Sequence, residues 1–243
     1  MLILFIDTET TGLDPKLNRV IEVAAALWHF EGDRNRIVRS FSMLCNDTPG
    51  ISTSPEITKI NGITQDLLDS RGVDIAAVLK HLTENYVAFA DYLCAHNAAF
   101  DRSFLEEEMT RKGFPKWDKP WIDTKVDLPY PDEFTSKRLG HLAAEHGFLN
   151  PFPHTALADT MTMARIMSNY SLDFIIKSSA AEIFHLTMQT SFEDYDTREK
   201  LKRLGFHWDK PNKLWKRIVK SHSMDKELAK CRAQGLEPKV SPA

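Results

Sequence analysis

The chain opens on an unbroken apolar run, Leu2-Ile3-Leu4-Phe5-Ile6, that stops at Asp7, which predicts a buried strand over residues 2–7. "TGLDPKLNR" follows as a loop broken by Gly, Pro and Asn. Residues 20–30 ("VIEVAAALWHF") and 36–44 ("RIVRSFSML") predict two further strands joined by the turn "EGDRN". Residues 46–64, "NDTPGISTSPEITKINGIT", read as a long polar loop with two prolines and two glycines, and a loop of that length is usually functional or disordered. Beyond it the pattern alternates. A helix is expected over 75–85, a strand in "FADYLCAH" and a helix over 100–112 ending near Gly113. A short strand in "KPWIDT" and helices over 136–146 and 155–170 follow. Hairpin-linked strands followed by alternating helix and strand predict an α/β domain, a mixed sheet with packed helices, over residues 1–175.

After Tyr170 the pattern resets. A strand in "HLTMQTSF", a short helix in "DTREKLKRLG", a hairpin "FHWDKPNKLWKRIV" turning at Pro211-Asn212 and a charged helix "SMDKELAKCRAQG" make a small α+β module over residues 182–243.

Composition narrows the class. The chain has 243 residues, enough for one sizeable domain and a small second one, and its 42% hydrophobic and 27% charged content is that of a soluble globular protein. No apolar run approaches the roughly 20 residues that cross a bilayer, so no membrane partner is expected. The first apolar run has no basic leader and ends at Asp7, so a signal peptide is not expected. Cys45, Cys94 and Cys231 are odd in number and far apart, which argues against a disulfide framework or a zinc cluster and for a cytoplasmic setting. The net charge of −3 is uneven: residues 185–243 carry 13 Lys and Arg against 8 Asp and Glu, and residues 1–184 carry 18 against 26. An acidic body with a basic appendage suits a polyanionic ligand, and ordinary solvated faces also give imbalances of this size.

Four acids stand where core residues belong. Asp7 and Glu9 are i and i+2, on one side of an extended chain. Asp101 shares a helical stripe with Phe104, Leu105 and Met109, and Asp159 shares one with Met163, Ile166, Met167 and Tyr170. A single inward acid at a helix start is ordinarily a cap or a complement to the dipole. Four at strand and helix ends, if gathered, repel one another and need cations or protons. Oxygen ligands without cysteine favour hard cations such as Mg²⁺ or Mn²⁺. Periodicity alone does not bring the four together.

The motifs "FIDTETTGL", "AHNAAFD" and "HTALADT", in this order and at the ends of the expected elements, resemble the three motifs of the DEDDh 3′→5′ exonuclease family, which includes the proofreading subunit of bacterial replicative polymerase. The resemblance covers roughly residues 2–170, including "KRLGHLAAEHG" before the third motif. His154 lies five residues before Asp159, and position 155 is Thr where the sister subclass has Tyr. The resemblance implies a ribonuclease H-like fold and a metal-dependent 3′→5′ exonuclease. It implies that Asp7, Glu9, Asp101 and Asp159 hold two divalent metals, Mg²⁺ or Mn²⁺, with His154 as general base, and that nucleoside 5′-monophosphates are released. A histidine's ordinary pKa near 6.5 suits that task.

By the same resemblance, Thr10, Thr11, Gly12 and Leu13 meet the terminal nucleotide, Leu13 as an apolar wedge. His96, Asn97 and Phe100 line its pocket; for Phe100, core packing is an equal alternative. Relatives often carry His where this chain has Asn61. The expected substrate is single-stranded DNA, with RNA as the alternative and a polymerase or repair complex as a possible partner.

In the small module, "LGFHWDKPNKLWKRI" is similar to short Trp- and Lys-containing modules appended to nucleic-acid enzymes. At least two of Phe206, Trp208 and Trp215 are expected in its core. Lys200, Lys202, Arg203, Lys210, Lys213, Lys216, Arg217 and Lys220 are the candidates for tracking a phosphate backbone.

Overall fold

The computed structural model describes residues 1–32, 34–47, 50–191 and 194–242. Asp33 in the expected turn, Thr48 and Pro49 in the expected loop, and Phe192 at the end of an expected strand lie outside the described residues. The chain divides into two compact units, Met1–Ser179 and Ala180–Ala243.

In the first unit β1 (Leu2–Thr10), β2 (Val20–Glu31) and β3 (Arg34–Leu44) form antiparallel pairs, and β4 (Tyr92–Ala95) and β5 (Trp121–Asp123) continue the sheet in parallel, in the order β3-β2-β1-β4-β5. Its helices are α1 (Pro55–Asn61), α2 (Gln65–Arg71), α3 (Ile75–Asn85), α4 (Ala98–Lys112), α5 (Leu139–Glu145), α6 (Ala156–Met167) and α7 (Leu172–Ser179). The second unit holds β6 (Ile183–Met188), α8 (Tyr195–Arg203), β7 (His207–Asp209), β8 (Leu214–Lys220), α9 (Met224–Ala233) and β9 (Lys239–Pro242), its sheet antiparallel in the order β7-β8-β6-β9.

The structure departs from the sequence reading in three places, the first with a local cause. The supposed loop over 46–64 contains α1: Ser54 caps it by accepting from the Ile57 amide at 3.3 Å, Pro55 begins it, and Gly62 ends it at φ 76°. None of its residues is fully buried and only Ile57 packs on a core cluster, so its apolar stripe is too short to read. The helices expected over 136–146 and 155–170 are shorter, α5 starting at Leu139 and α6 stopping at Met167. Helices α2 and α7 and strand β9 were not anticipated.

β1 is covered on both faces, and alternation sorts its side chains. Leu4 and Ile6 join a core with Ile75, Leu79 and Leu82 of α3 and Phe104, Leu105 and Met109 of α4. Ile3 and Phe5 join a second core with Met163, Ile166 and Met167 of α6. Each such buried side chain contributes roughly 1.5–3 kcal/mol. The sorting continues past the apolar run, so Asp7 and Glu9 keep the α6 side while Thr8 keeps the α4 side.

The loop after β1 is fixed by a buried ionic cluster on α4. Glu108, fully buried, accepts from Arg19 Nε at 2.7 Å, Arg19 Nη2 at 3.0 Å, Arg111 Nη1 at 3.0 Å and the Val20 amide at 3.2 Å. Arg111 also donates to the carbonyls of Pro15, Lys16 and Asn18, and Arg19 also pairs with Asp47. Removing one partner from such a cluster leaves charge buried without compensation. Glu108→Gln is therefore expected to cost about 3 kcal/mol, a fall of about 6–12 °C in melting temperature for a unit of this size. An unchanged melting curve would mean that the loop is held by something else.

Candidate active site

The C-terminal ends of β1 and β4 and the first turns of α4 and α6 meet at one place. Asp101, in the first turn of α4, reaches across to β1 and accepts from the Thr8 amide at 3.0 Å and the Thr8 hydroxyl at 2.8 Å. Asp159, in the first turn of α6, accepts from the His154 amide at 3.1 Å and from Asn150 Nδ2. Glu9 accepts from Asn61 Nδ2 at 3.3 Å. Ligating atoms of Glu9, His154 and Asp159 all lie within 4.8 Å of one another. Asp7 sits close enough to Asp101, Asp159, Glu9 and Glu22 to feel the charge of all four.

Burial, followed by that mutual repulsion, drives the Asp7 carboxyl well above the usual carboxylate range. Burial pushes Glu9 up to about 8 against the opposing Asn61 hydrogen bond, and Asp101 up to about 7 against both Thr8 hydrogen bonds. Asp159 is raised by burial, against Asn150 and the His154 amide. Among the described residues no Lys or Arg pairs with any of the four, while the neighbouring Arg19, Arg111 and Lys112 are engaged by Asp47, Asp74 and Glu108. Four desolvated carboxylates with neutral hydrogen-bond donors and no side-chain cation are a fit for divalent metal.

The sign of the resulting pH dependence follows from the raised values. Between about pH 4.5 and pH 8 the folded, metal-free site binds protons that the unfolded chain has released, so stability falls as pH rises through this window. Below the window the penalty is absent, and above it the penalty is complete. Melting temperatures in EDTA are expected to drop from pH 5 to pH 8, and excess Mg²⁺ to flatten the drop. A slope that ignores Mg²⁺ would count against a metal site here.

Two backbone residues of the site adopt left-handed conformations without being glycine, Asn97 at φ 78° just before α4 and His154 at φ 61° before α6. Such strain is held only where surrounding structure enforces it. Asn97 is anchored by its amide on Asp123 Oδ1 at 2.9 Å and His154 by its amide on Asp159.

The remaining residues named from the sequence fall around this cluster. Thr10 donates to the Gly12 carbonyl at 2.6 Å, the Thr11 hydroxyl accepts from the Arg19 amide at 3.0 Å, and a Cβ on Gly12 would meet the Asn18 side chain at 2.6 Å. This tight turn leaves Leu13 87% exposed. An open groove beside it is lined by Thr11, Leu17, Asn18, Ser52, Thr53 and Ser54. Phe100 is half-buried, its ring centroid 4.8 Å from that of Phe104, so it packs on the core and keeps an open edge. Both His96 ring nitrogens are engaged at 2.8 Å, Nδ1 with the Thr124 hydroxyl and Nε2 with the Lys137 carbonyl, and burial lowers its pKa.

Two contributors, Glu22 and Asn150, were missed, and Asn61 was noted only as a departure from relatives, with no role given. Glu22 stands directly opposite Glu9 in the β1–β2 register and accepts from the first amide of α6, Ala156 N, at 3.4 Å. Its signal was a lone acid inside the apolar run "VIEVAAAL". Asn61 and Asn150, which hold Glu9 and Asp159, sit in segments whose polarity made them read as loops.

Residues 4–167 match the exonuclease family RNase_T. The chain belongs to this exonuclease family. Its DEDDh members are 3′→5′ exonucleases, hydrolases that act on nucleic acid and use divalent metal ions. Among curated proteins the chain is similar to the PolC-type DNA polymerase III of Thermotoga maritima, 27% identical over 191 residues, 78% of this chain and 13% of that protein. It is also similar to that of Staphylococcus aureus strain bovine RF122 / ET3-1, 32% identical over 163 residues, 66% of this chain and 11% of that protein. The chain thus spans only about an eighth of the length of these relatives. Among solved structures, the E. coli ExoI–ssDNA complex superposes with a TM-score of 0.66 at 14% identity, covering 97% of this chain and 68% of that one. The nuclease domain of 3′hExo, a DEDDh family member bound to rAMP, gives 0.57 at 22% identity, covering 69% and 90%. The mixed sheet flanked by helices is thus the ribonuclease H-like exonuclease fold. Among the described residues no helix is long and apolar enough to cross a membrane.

Proposed function

We propose that the chain removes nucleotides one at a time from the 3′ end of single-stranded DNA, each as a nucleoside 5′-monophosphate. The observation that carries this reading is the convergence of Asp7, Glu9, Asp101 and Asp159, with Glu9, Asp159 and His154 within ligating reach of one another. Asp7, Glu9, Asp101 and Asp159 would hold two divalent ions, Mg²⁺ or Mn²⁺, which when bound stabilise the charge on the attacking and leaving oxygens.

The chain's own groups do the rest. His154, exposed and beside the carboxylates, takes the proton of the water that attacks phosphorus. The bond broken is that to the 3′ oxygen of the penultimate nucleotide, which leaves as a hydroxyl after taking a proton from solvent. Thr8, Asn61 and Asn150 orient Asp101, Glu9 and Asp159 through the hydrogen bonds above. Leu13 offers an apolar surface to the terminal base, Phe100 an aromatic edge, and Thr10 to Gly12 the turn beneath. With both nitrogens engaged, His96 positions the strand end rather than the nucleotide.

DNA as substrate is supported by the DNA polymerases among the relatives and by the single-stranded DNA bound to ExoI. The polymerases among the relatives support a polymerase complex as partner, with a repair complex as the alternative. RNA is the second reading, supported by the rAMP bound to 3′hExo. Free, buried Cys45, Cys94 and Cys231 suit a cytoplasmic setting. We assign the chemistry to the first unit and nucleic-acid holding to the second.

The test is a panel of end-labelled single-stranded DNA, duplex DNA and RNA with Mg²⁺ or EDTA. Single nucleotides released from the 3′ end, abolished by EDTA, are expected, with single-stranded DNA consumed fastest. Internal cleavage, or activity that survives EDTA, refutes the mechanism; faster loss of RNA moves the reading to RNA.

A further inference from the structure

The second unit's own helices cover one face of its sheet. Leu186 of β6 and Trp215 and Val219 of β8 pack with Leu201 of α8 and Cys231 of α9. Trp215 and Phe206 are therefore core, and Trp208 stands at the sheet edge, 46% exposed, its ring centroid 5.7 Å from that of Trp215. Arg217 also points to this side, pairing with Glu227 at 2.5 Å.

Residues of opposite parity form the other face. Strand register sets His207, Lys216, Thr187 and Lys239 side by side across β7, β8, β6 and β9. The next row along places His185 beside Ile218 and Ser241, and Ile218 is 48% exposed. Lys216 and Lys239 lie two strand spacings apart, roughly 9–10 Å. Neither is in an ion pair among the described residues. The acid at the end of this face, Asp209, is engaged by Asn212 through its amide at 3.2 Å and its Nδ2 at 2.9 Å. Burial, Lys216 and His207 together lower the pKa of His185, as expected on a face of positive potential.

The helical side differs. Lys200 pairs with Asp196 at 3.1 Å, Lys202 with Glu199 at 2.6 Å and Lys230 with Glu227 at 3.1 Å, so these three helix lysines are locally compensated. Lys210 and Lys213 lie in the β7–β8 turn, beside the sheet face rather than on it.

We propose that the open face bearing Lys216, Lys239, His207, Thr187 and Ser241 binds the phosphodiester backbone of the strand that the nuclease unit degrades. This rests on the nuclease reading above and narrows the contact, from the basic residues of α8 and of the β7–β8 hairpin together, to the sheet face. Lysines supply phosphate charge, hydroxyls and imidazoles supply hydrogen bonds, and Ile218 supplies an apolar bed for sugar and base. None of these groups reads a base edge, so the binding is independent of sequence.

The test uses the full chain in EDTA with fluorescent oligothymidylate, affinity being read by anisotropy from 50 to 300 mM salt. Lys216→Gln with Lys239→Gln is expected to lower the slope of log K against log salt by about 1.4, two contacts at about 0.7 each for a single strand. Lys202→Gln with Arg203→Gln on α8 should leave the slope unchanged. A wild-type slope in the sheet variant, or a loss confined to the helix variant, overturns the proposal; a sheet that docks a protein instead gives the first of these. Hydrolysis of the p-nitrophenyl ester of thymidine 5′-monophosphate, too short to reach a second site, should proceed at the wild-type rate in the sheet variant. If the wild-type chain neither hydrolyses that ester nor degrades any strand of the panel above, the nuclease reading itself falls. If it does either and the slope is unmoved, the sheet face alone is refuted.

Discussion

Asp7→Asn is expected to remove exonuclease activity by roughly 10³-fold or more and, in the same protein, to raise the melting temperature measured in EDTA. The two effects have one cause. Asp7 lies at the centre of the acidic cluster, with Asp101, Asp159, Glu9 and Glu22 all raising the cost of its ionisation after burial has done so. Without metal this charge destabilises the fold, and an isosteric amide relieves it. With metal the same charge is a ligand, and losing several kcal/mol of transition-state stabilisation corresponds to a rate loss of three decades. Relief of each kcal/mol should add about 2–4 °C to the melting temperature. Mg²⁺ at a hundredfold its dissociation constant stabilises the wild type by about 2.7 kcal/mol, and the variant should gain much less. A variant that melts lower than wild type in EDTA and still degrades DNA would mean that Asp7 is an ordinary structural acid.

That central position was only partly legible. The period of two placed Asp7 and Glu9 on one side of a strand, and the structure carries that parity unbroken from Ile3 and Phe5, which pack against α6. The helical stripes of Asp101 with Phe104, Leu105 and Met109, and of Asp159 with Met163, Ile166 and Met167, likewise survive, because each helix buries the stripe on the sheet. Periodicity fixes which way a side chain points on its own element. It does not fix which elements meet, and the order of the three motifs supplied that.

What stayed hidden depends on chain crossings. Glu22 faces Glu9 only through the β1–β2 register, which shifts at Glu9/Thr10. Asn61 reaches Glu9 from 52 residues away because α1 forms where a loop was expected. The cues for α1 were in place, Ser54, Pro55 and Gly62, yet a seven-residue helix that packs only Ile57 on the core shows too short a stripe. The edge strand β9, exposed along its whole length and ending in Pro242, had no alternation to betray it. The left-handed turns at Asn97 and His154 also have no local sequence signature, since the hydrogen bonds to Asp123 and Asp159 impose them.

The left-handed turn at His154 decides how its role is tested. At φ 61° an alanine would be strained, and lost activity would mix backbone distortion with the missing ring. Asparagine tolerates this conformation, so His154→Asn keeps the amide that Asp159 accepts and removes only the imidazole. A general base contributes typically 10²–10⁴-fold, and kcat should fall by about that factor with KM little changed. The ring, however, also lies within 4.8 Å of ligating atoms of Glu9 and Asp159, so it is placed to bind metal as well as to accept a proton. The two roles separate on stability: a base leaves the Mg²⁺-induced rise in melting temperature intact, whereas a ligand takes part of that rise with it. Added imidazole should restore part of kcat if the missing function is proton transfer. A rate equal to wild type removes His154 from the chemistry, and a lost Mg²⁺ response without imidazole rescue reassigns it to the metal.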